Sequence, residues 1–144
     1  MEILIVVFVV LSLIGAISFL KPSKKMKALS AIRHIASKEG FKIGSTPTLR
    51  KKFKSWTPQV AIYQIKNDSP FKDMHYVQQG NSLTLYAPMS LKYDKKFPII
   101  QEKISSLPNS ILEIIFFQSN IAIIWNEMQG HEELSKIKIA ILNI

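Results

Sequence analysis

The chain has 144 residues, 47% of them hydrophobic, and its 19 Lys or Arg residues outnumber its 10 Asp or Glu residues to give a net charge of +9. It contains no cysteine, which excludes disulfides, thiolate metal sites and a cysteine nucleophile. A chain of this length allows one domain with a single core beside any terminal segment.

The N-terminal run at residues 3–20, ILIVVFVVLSLIGAISFL, carries no charge. A helix of that length extends for about 27 Å, close to the roughly 30 Å of a hydrocarbon core. A buried core helix would need more surrounding protein than the rest of the chain supplies. A cleaved signal peptide would need positive charges before its apolar region, where only Met1 and Glu2 stand. We therefore expect residues 1–20 to form a transmembrane anchor.

Lysines follow this run at once, at positions 21, 24, 25 and 27. Positive residues beside a span mark its cytoplasmic end, which predicts a single-pass protein of the inner membrane with its N-terminus outside and its bulk in the cytoplasm. Residues 21–54 hold eleven Lys or Arg and the single acid Glu39, whereas residues 55–144 hold eight of each sign. The predicted organisation is an anchor at 1–20, a basic amphipathic juxtamembrane helix at 21–40 and a cytoplasmic domain at 41–144.

The basic segment is the candidate contact surface. Cations near an anionic leaflet each contribute about 1 kcal/mol to binding, so the segment is expected to meet lipid headgroups unless its charges only set topology. A polyanion such as RNA is the alternative ligand for residues 24–54, because aromatics alternate with cations in TLRKKFKSW. We interpret Phe53 and Trp56 in this stretch as core anchors of a short helix, in preference to residues that stack on bases. The candidate contact residues are Lys21, Lys24, Lys25, Lys27, Arg33, Arg50, Lys51, Lys52 and Lys54.

Helix signals open the region after the anchor. Large apolar residues recur at every third position within residues 24–39, which predicts an amphipathic helix. Gly40 is placed to cap it, and a short strand is expected at residues 41–43. Thr46 and Pro47 then match the N-cap and first position of a short helix over residues 47–54.

Strand signals dominate the rest of the chain. We expect a strand at QVAIYQIK, a hairpin of MHYVQQ and SLTLYAP around Gly80-Asn81, a helix at FPIIQEKISSL, two strands at 111–117 and 121–125, and a final helix in HEELSKIKIAILNI. Helices flanking a mostly antiparallel sheet make an α+β domain. The strands at 111–117 and 121–125 are apolar on both faces, so either the domain's own helices or a partner must cover the second face.

The sequence shows no arrangement of residues that is typical of a catalytic or metal-binding site. His34, His75 and His131 lack metal-ligand spacing and are expected at the surface or at helix caps. Glu132 and Glu133 fit the first turn of a helix, where the helix dipole favours acids. There is no G-x-S-x-G motif and no phosphate-cradling glycine pattern. We therefore predict no enzymatic activity, with no catalytic, cofactor-binding or metal residues and no cofactor.

The outline of a short outer N-terminus, one span and the Lys-rich exit KPSKKMKAL resembles small single-pass inner-membrane proteins of proteobacteria. Some of these are grouped with the YajC-type accessory subunit of the Sec translocase. The segments VAIYQI and IAIIW are similar to those of uncharacterised proteins of the same kind. The resemblance implies a family and a place in the membrane, but it carries no functional residue over to this chain.

Two functions from different classes follow from these observations. The first is a non-enzymatic, membrane-anchored interaction or scaffold domain on the cytoplasmic face of the inner membrane, with anionic headgroups and another inner-membrane protein as partners. The second is a module that binds a polyanion such as RNA through residues 24–54. Salt dependence separates them, because polyanion binding weakens steeply with ionic strength.

Overall fold

A computed structural model describes residues 1–20, 24–44 and 46–144. The chain divides into two compact units, Met1–Ala31 and Ile32–Ile144, and we call the second the sheet unit because it contains every described strand. The described α-helices are α1 (Glu2–Leu20), α2 (Lys24–Lys38), α3 (Pro47–Lys52), α4 (Phe97–Ser105) and α5 (His131–Leu142). The strands are β1 (Lys42–Ile43), β2 (Tyr63–Lys66), β3 (Met74–Gln79), β4 (Ser82–Ala87), β5 (Ile111–Phe116) and β6 (Asn120–Trp125), and 3₁₀ helices lie at Met89–Tyr93 and Glu127–Gln129.

The first unit contains α1, and its described apolar side chains from Ile3 to Ile17 are exposed. Across the described residues, however, no helix combines the length and the apolar character needed to cross a membrane. This finding overturns the predicted transmembrane anchor at residues 1–20. It equally overturns the single-pass inner-membrane location and the topology derived from it.

The division between the units falls inside α2, between Ala31 and Ile32. The boundaries that the sequence suggests after residues 20 and 40 stay predictions. The C-terminal part of α2 belongs to the sheet unit because Ala36 is fully buried in its core and Ile32 packs against that core. Gly40, with φ of 99°, follows the helix, and the Phe41 N–H donates to the Ala36 carbonyl at 3.0 Å. This is the predicted glycine cap.

The sheet unit is built on six antiparallel strands in the order β1-β2-β6-β5-β3-β4. The α+β class is therefore confirmed. The predicted hairpin is also confirmed: Gln79 pairs with Ser82 across the two-residue turn Gly80-Asn81, and Gly80 has the positive φ of 64° that such a turn requires. The strand predicted over residues 59–66 is shorter in the structure, since β2 begins at Tyr63.

One face of the sheet carries the main core. Ile104 of α4 and Leu134, Ile137 and Ile141 of α5 are buried among the inward residues of the strands. Three edge-to-face aromatic contacts strengthen the packing, including Tyr63 with Trp125 at 5.6 Å between ring centroids. Of the four apolar positions with helical spacing in the C-terminal segment, Leu134, Ile137 and Ile141 are buried as predicted, whereas Ile144 lies beyond α5 and is only partly buried.

The other face, which we call the α3 face, is covered by α3 and the segment after it. Phe53, Ile62, Ile115, Ala122 and Ile124 form a second buried cluster there, with Leu49 and Trp56 packed against it. The two strands that are apolar on both faces are thus covered on both sides by the chain itself. Phe53 and Trp56 anchor this cover, as the sequence predicted.

Candidate functional site

Helix α3 presents the basic residues of the sheet unit, and its position is set at both ends. The Thr46 hydroxyl accepts a hydrogen bond from the Leu49 N–H at 3.2 Å, and Pro47 occupies the first turn. An N-cap of this kind contributes about 1 kcal/mol. After Lys52 the chain turns inward at Phe53, whose side chain is 6% exposed. The helix is therefore held between a capped start and a buried aromatic anchor.

Four cations project from this anchored segment: Arg50, Lys51, Lys52 and Lys54, which we call the α3 basic cluster. All four are exposed. Within the described parts of the chain, no acidic side chain forms an ion pair with Lys51, Lys52 or Lys54. The cluster is thus a local excess of positive charge on the α3 face.

Three of these cations lie over aromatic rings. The Arg50 guanidinium is 5.0 Å from the centre of the Trp56 ring, Lys52 Nζ is 4.9 Å from that of Phe117, and Lys54 Nζ is 4.8 Å from that of Tyr86. Hydrogen bonding to Tyr86 raises the pKa of Lys54. The aromatic surfaces of the α3 face are therefore partly occupied by the chain's own cations.

A buried carboxylate holds the end of this segment on the sheet. Glu113 of β5 is 0% exposed, and its oxygens accept hydrogen bonds from the Lys54 N–H at 2.8 Å and 2.9 Å and from the Ser55 N–H at 2.7 Å. A third donor is His75 Nε2, at 2.5 Å. Burial raises the pKa of Glu113, but the bonds from His75 and the two backbone N–H groups outweigh it and leave the pKa below the ordinary value. An ionised Glu113 therefore fixes the position of the basic segment.

His75 corrects the expectation that all three histidines lie at the surface or at helix caps. It is 9% exposed on β3, with its ring 4.9 Å from that of Tyr86 and 6.4 Å from that of Phe53. An ionised carboxylate only accepts, so His75 donates to Glu113 through its Nε2–H. Within the described residues no group of three or more His, Cys, Asp or Glu side chains is arranged to hold a metal ion.

Sequence reasoning missed Glu113, although a signal for it exists. It is the only charge in the strand ILEIIF, where an acid facing apolar neighbours must be compensated. The register of β5 against β6 shifts between Ile111 and Glu113. Such a bulge aims a side chain differently from strict alternation, so the strand pattern alone could not show which face Glu113 occupies.

The other predicted contact residues belong to other segments of the chain. Lys24, Lys25 and Lys27 are exposed on the part of α2 that belongs to the first unit. Lys21 lies outside the described residues. Among the predicted contact residues described in the sheet unit, Arg50, Lys51, Lys52 and Lys54 lie together on one short segment.

Arg33 belongs to the sheet unit but serves a structural pair. Its Nε and a terminal nitrogen donate to the two carboxylate oxygens of Glu127 at 2.9 Å and 3.0 Å. The Tyr63 hydroxyl donates to the same carboxylate at 2.6 Å. The bond to Glu127 raises the pKa of Arg33, and burial raises that of Tyr63. This bidentate pair attaches the end of α2 to the segment after β6.

A groove opens beside the basic cluster on the α3 face. Its volume is about 490 Å³. Its described lining residues are Lys42, Ile43, Gly44, Thr46, Thr48, Leu49, Lys52, Gln64, Phe117 and Asn120. Two of them are lysines and none is acidic, so the groove has the electrostatic character of the neighbouring helix.

Comparison of the chain with protein-family models, with curated proteins and with solved structures finds no match. The resemblance to small inner-membrane proteins noted above therefore stays a prediction.

Proposed function

We propose that this protein is a non-enzymatic binding domain whose α3 basic cluster contacts anionic lipid headgroups. The observation that carries the proposal is the clustering of four exposed cations within residues 50–54, on a segment pinned by Glu113. Because the backbone is already fixed, little further ordering is needed when the cations meet an anionic surface. The proposal rests on the sheet unit alone and does not require a spanning helix.

Headgroups are favoured over RNA by the state of the aromatic rings. Binding of single-stranded nucleic acid combines cations with aromatic faces on which bases stack. Here Phe53 is buried, and cations lie over Trp56, Phe117 and Tyr86. The cations are thus presented without an open stacking platform, which suits a surface of headgroup charges better than a chain of bases.

The test measures binding of the full chain to lipid vesicles. Vesicles that contain phosphatidylserine should bind it more tightly than zwitterionic vesicles, and this difference should shrink between low and physiological salt. A variant with Arg50, Lys51, Lys52 and Lys54 all changed to Gln should lose most of the difference, at roughly fivefold per cation. Comparison with zwitterionic vesicles removes any contribution from the apolar residues of α1.

The matched control is a variant in which Lys92, Lys95, Lys96 and Lys136 are changed to Gln. These lysines are exposed on other parts of the sheet unit, and the same total charge is removed. It should keep the preference for anionic vesicles. Equal losses in the two variants would contradict the assignment to α3. Tight, salt-sensitive binding of single-stranded RNA that depends on Trp56, without any lipid preference, would favour the alternative module.

A further inference from the structure

Strand pairing, hydrogen bonds and a cation–π contact link several of the residues that line the groove on the α3 face. Lys42 of β1 is the register partner of Gln64 on β2. The Asn120 amide donates to Gln64 Oε1, and the Phe117 N–H donates to the Asn120 carbonyl at 2.8 Å. Lys52 then lies over the Phe117 ring. Lys42 and Lys52 thus line one groove whose intervening residues are linked by strand pairing and hydrogen bonds.

The chemistry of this groove suits an anion with polar oxygens. Gln64 lines the groove, and because its Oε1 accepts from Asn120, the donors of its amide nitrogen remain available. Thr48 adds an exposed hydroxyl, while Leu49 and Phe117 supply apolar surface. A volume of about 490 Å³ is within the usual range for small-molecule sites. None of the described lining residues is acidic, which disfavours a cationic ligand.

We propose that this groove binds a phosphomonoester group, with its oxygens between Lys42 and Lys52 and within reach of the Gln64 amide. A phosphomonoester carries close to two negative charges at neutral pH and three acceptor oxygens, which matches two ammonium groups plus neutral donors. This inference rests on the proposed function for one of its two sources, a lipid headgroup. The other source is a water-soluble phosphomonoester.

The site makes a prediction that diffuse charge attraction does not. Diffuse attraction depends on surface potential, so phosphatidic acid and phosphatidylserine vesicles of equal surface potential should bind equally. A groove that recognises the phosphomonoester should prefer phosphatidic acid, whose headgroup is that group alone. The difference between the two vesicle types therefore isolates the groove from the rest of the α3 basic cluster.

Three variants of the full chain complete the test. Lys42→Gln and Gln64→Leu alter the groove at residues outside α3, and Gln64→Leu leaves the charge unchanged. Lys51→Gln removes one charge from α3 at a residue that does not line the groove. The first two should lower binding to phosphatidic acid about five- to tenfold more than binding to phosphatidylserine, whereas Lys51→Gln should lower both equally. Circular dichroism checks that each variant folds.

A parallel titration with sn-glycerol 3-phosphate, followed by NMR shifts of the backbone amides at Lys42 and Gln64, separates the two sources. If the protein binds glycerol phosphate, Lys42→Gln weakens that binding, and no anionic vesicle is preferred, the groove is supported as a phosphomonoester site and the lipid function is contradicted. If the protein binds anionic vesicles without preferring phosphatidic acid and does not bind glycerol phosphate, the groove is contradicted as a phosphomonoester site and the lipid function is supported. Absence of every interaction would overturn both.

Discussion

Replacement of Glu113 tests how the α3 basic cluster is held. In Glu113→Ala the N–H groups of Lys54 and Ser55 and the His75 ring lose their common acceptor. A buried donor left without a partner costs about 1–3 kcal/mol, so three donors would cost roughly 3–9 kcal/mol. Because the Lys54 and Ser55 N–H groups are only part-buried, the free energy of unfolding should fall by the lower part of that range, about 3–6 kcal/mol. That is a large part of the 5–15 kcal/mol typical of a domain.

Glu113→Gln is the milder variant that keeps the test informative if the alanine variant does not fold. The glutamine oxygen can still accept from the backbone N–H groups, while its amide donates to His75 in the other tautomer. We expect a loss of about 1–2 kcal/mol, because the charge-assisted bonds become neutral ones. Glu102→Gln, at an exposed position of α4, is the control and should change stability by less than about 0.5 kcal/mol.

Two measurements check the reasoning. Urea unfolding followed by circular dichroism gives the change in the free energy of unfolding, and hydrogen exchange reports the Lys54 and Ser55 amides individually. The exchange rates of both amides should rise in Glu113→Gln by more than those of the β6 amides, which should rise only as far as the loss of global stability allows. If Lys54 and Ser55 exchange at unchanged rates and stability is also unchanged, Glu113 does not hold the segment.

Two further predictions concern the same buried polar groups. The pKa of Glu113 is lowered in the folded state, so the stability that its ionised form contributes should be fully present above the unfolded pKa, near 4.5, and lost as the pH falls through the folded pKa. Urea unfolding between pH 7 and pH 3 should therefore show a smaller fall in the free energy of unfolding for Glu113→Gln than for the unmodified protein. Arg33→Gln should lower the free energy of unfolding by about 1–3 kcal/mol, because the buried Glu127 loses a bidentate partner that is itself partly exposed. The control Lys38→Gln, at an exposed position of α2, should leave the free energy of unfolding unchanged.

The sequence predicted local structure well where a short signal determines it. Thr46-Pro47 marked the start of α3, Gly80-Asn81 marked the hairpin, and the apolar spacing in α5 marked its buried residues. It failed where distant contacts decide the outcome. Arg33 appeared as one cation of a basic segment because Glu127, its partner, lies 94 residues away. His75 was expected outside for the same reason, since only the folded sheet brings it to Glu113.

The apolar N-terminal run shows a different limit. Length and composition predicted a spanning helix, and the described part of the chain contains none. The candidate surface was predicted in part: Arg50, Lys51, Lys52 and Lys54 do form one cluster. The groove beside it was not, because it depends on the pairing of β1 with β2, which places Lys42 next to Gln64. Such a pairing across some twenty residues leaves no pattern in either segment.

The two outer strands of the sheet have a consequence for self-association. An unpaired strand edge is a template for another chain, and long exposed edges promote aggregation. At one side β1 offers only two residues, Lys42 and Ile43, and the first of these is charged. At the other side β4 is longer, but the Gln101 side chain of α4 donates to the Leu83 carbonyl at 3.3 Å and so occupies one of its acceptors. At the β1 edge the strand is too short to pair extensively, and at the β4 edge a side chain of α4 takes one backbone acceptor. Addition of a further strand is therefore disfavoured at both edges of the sheet.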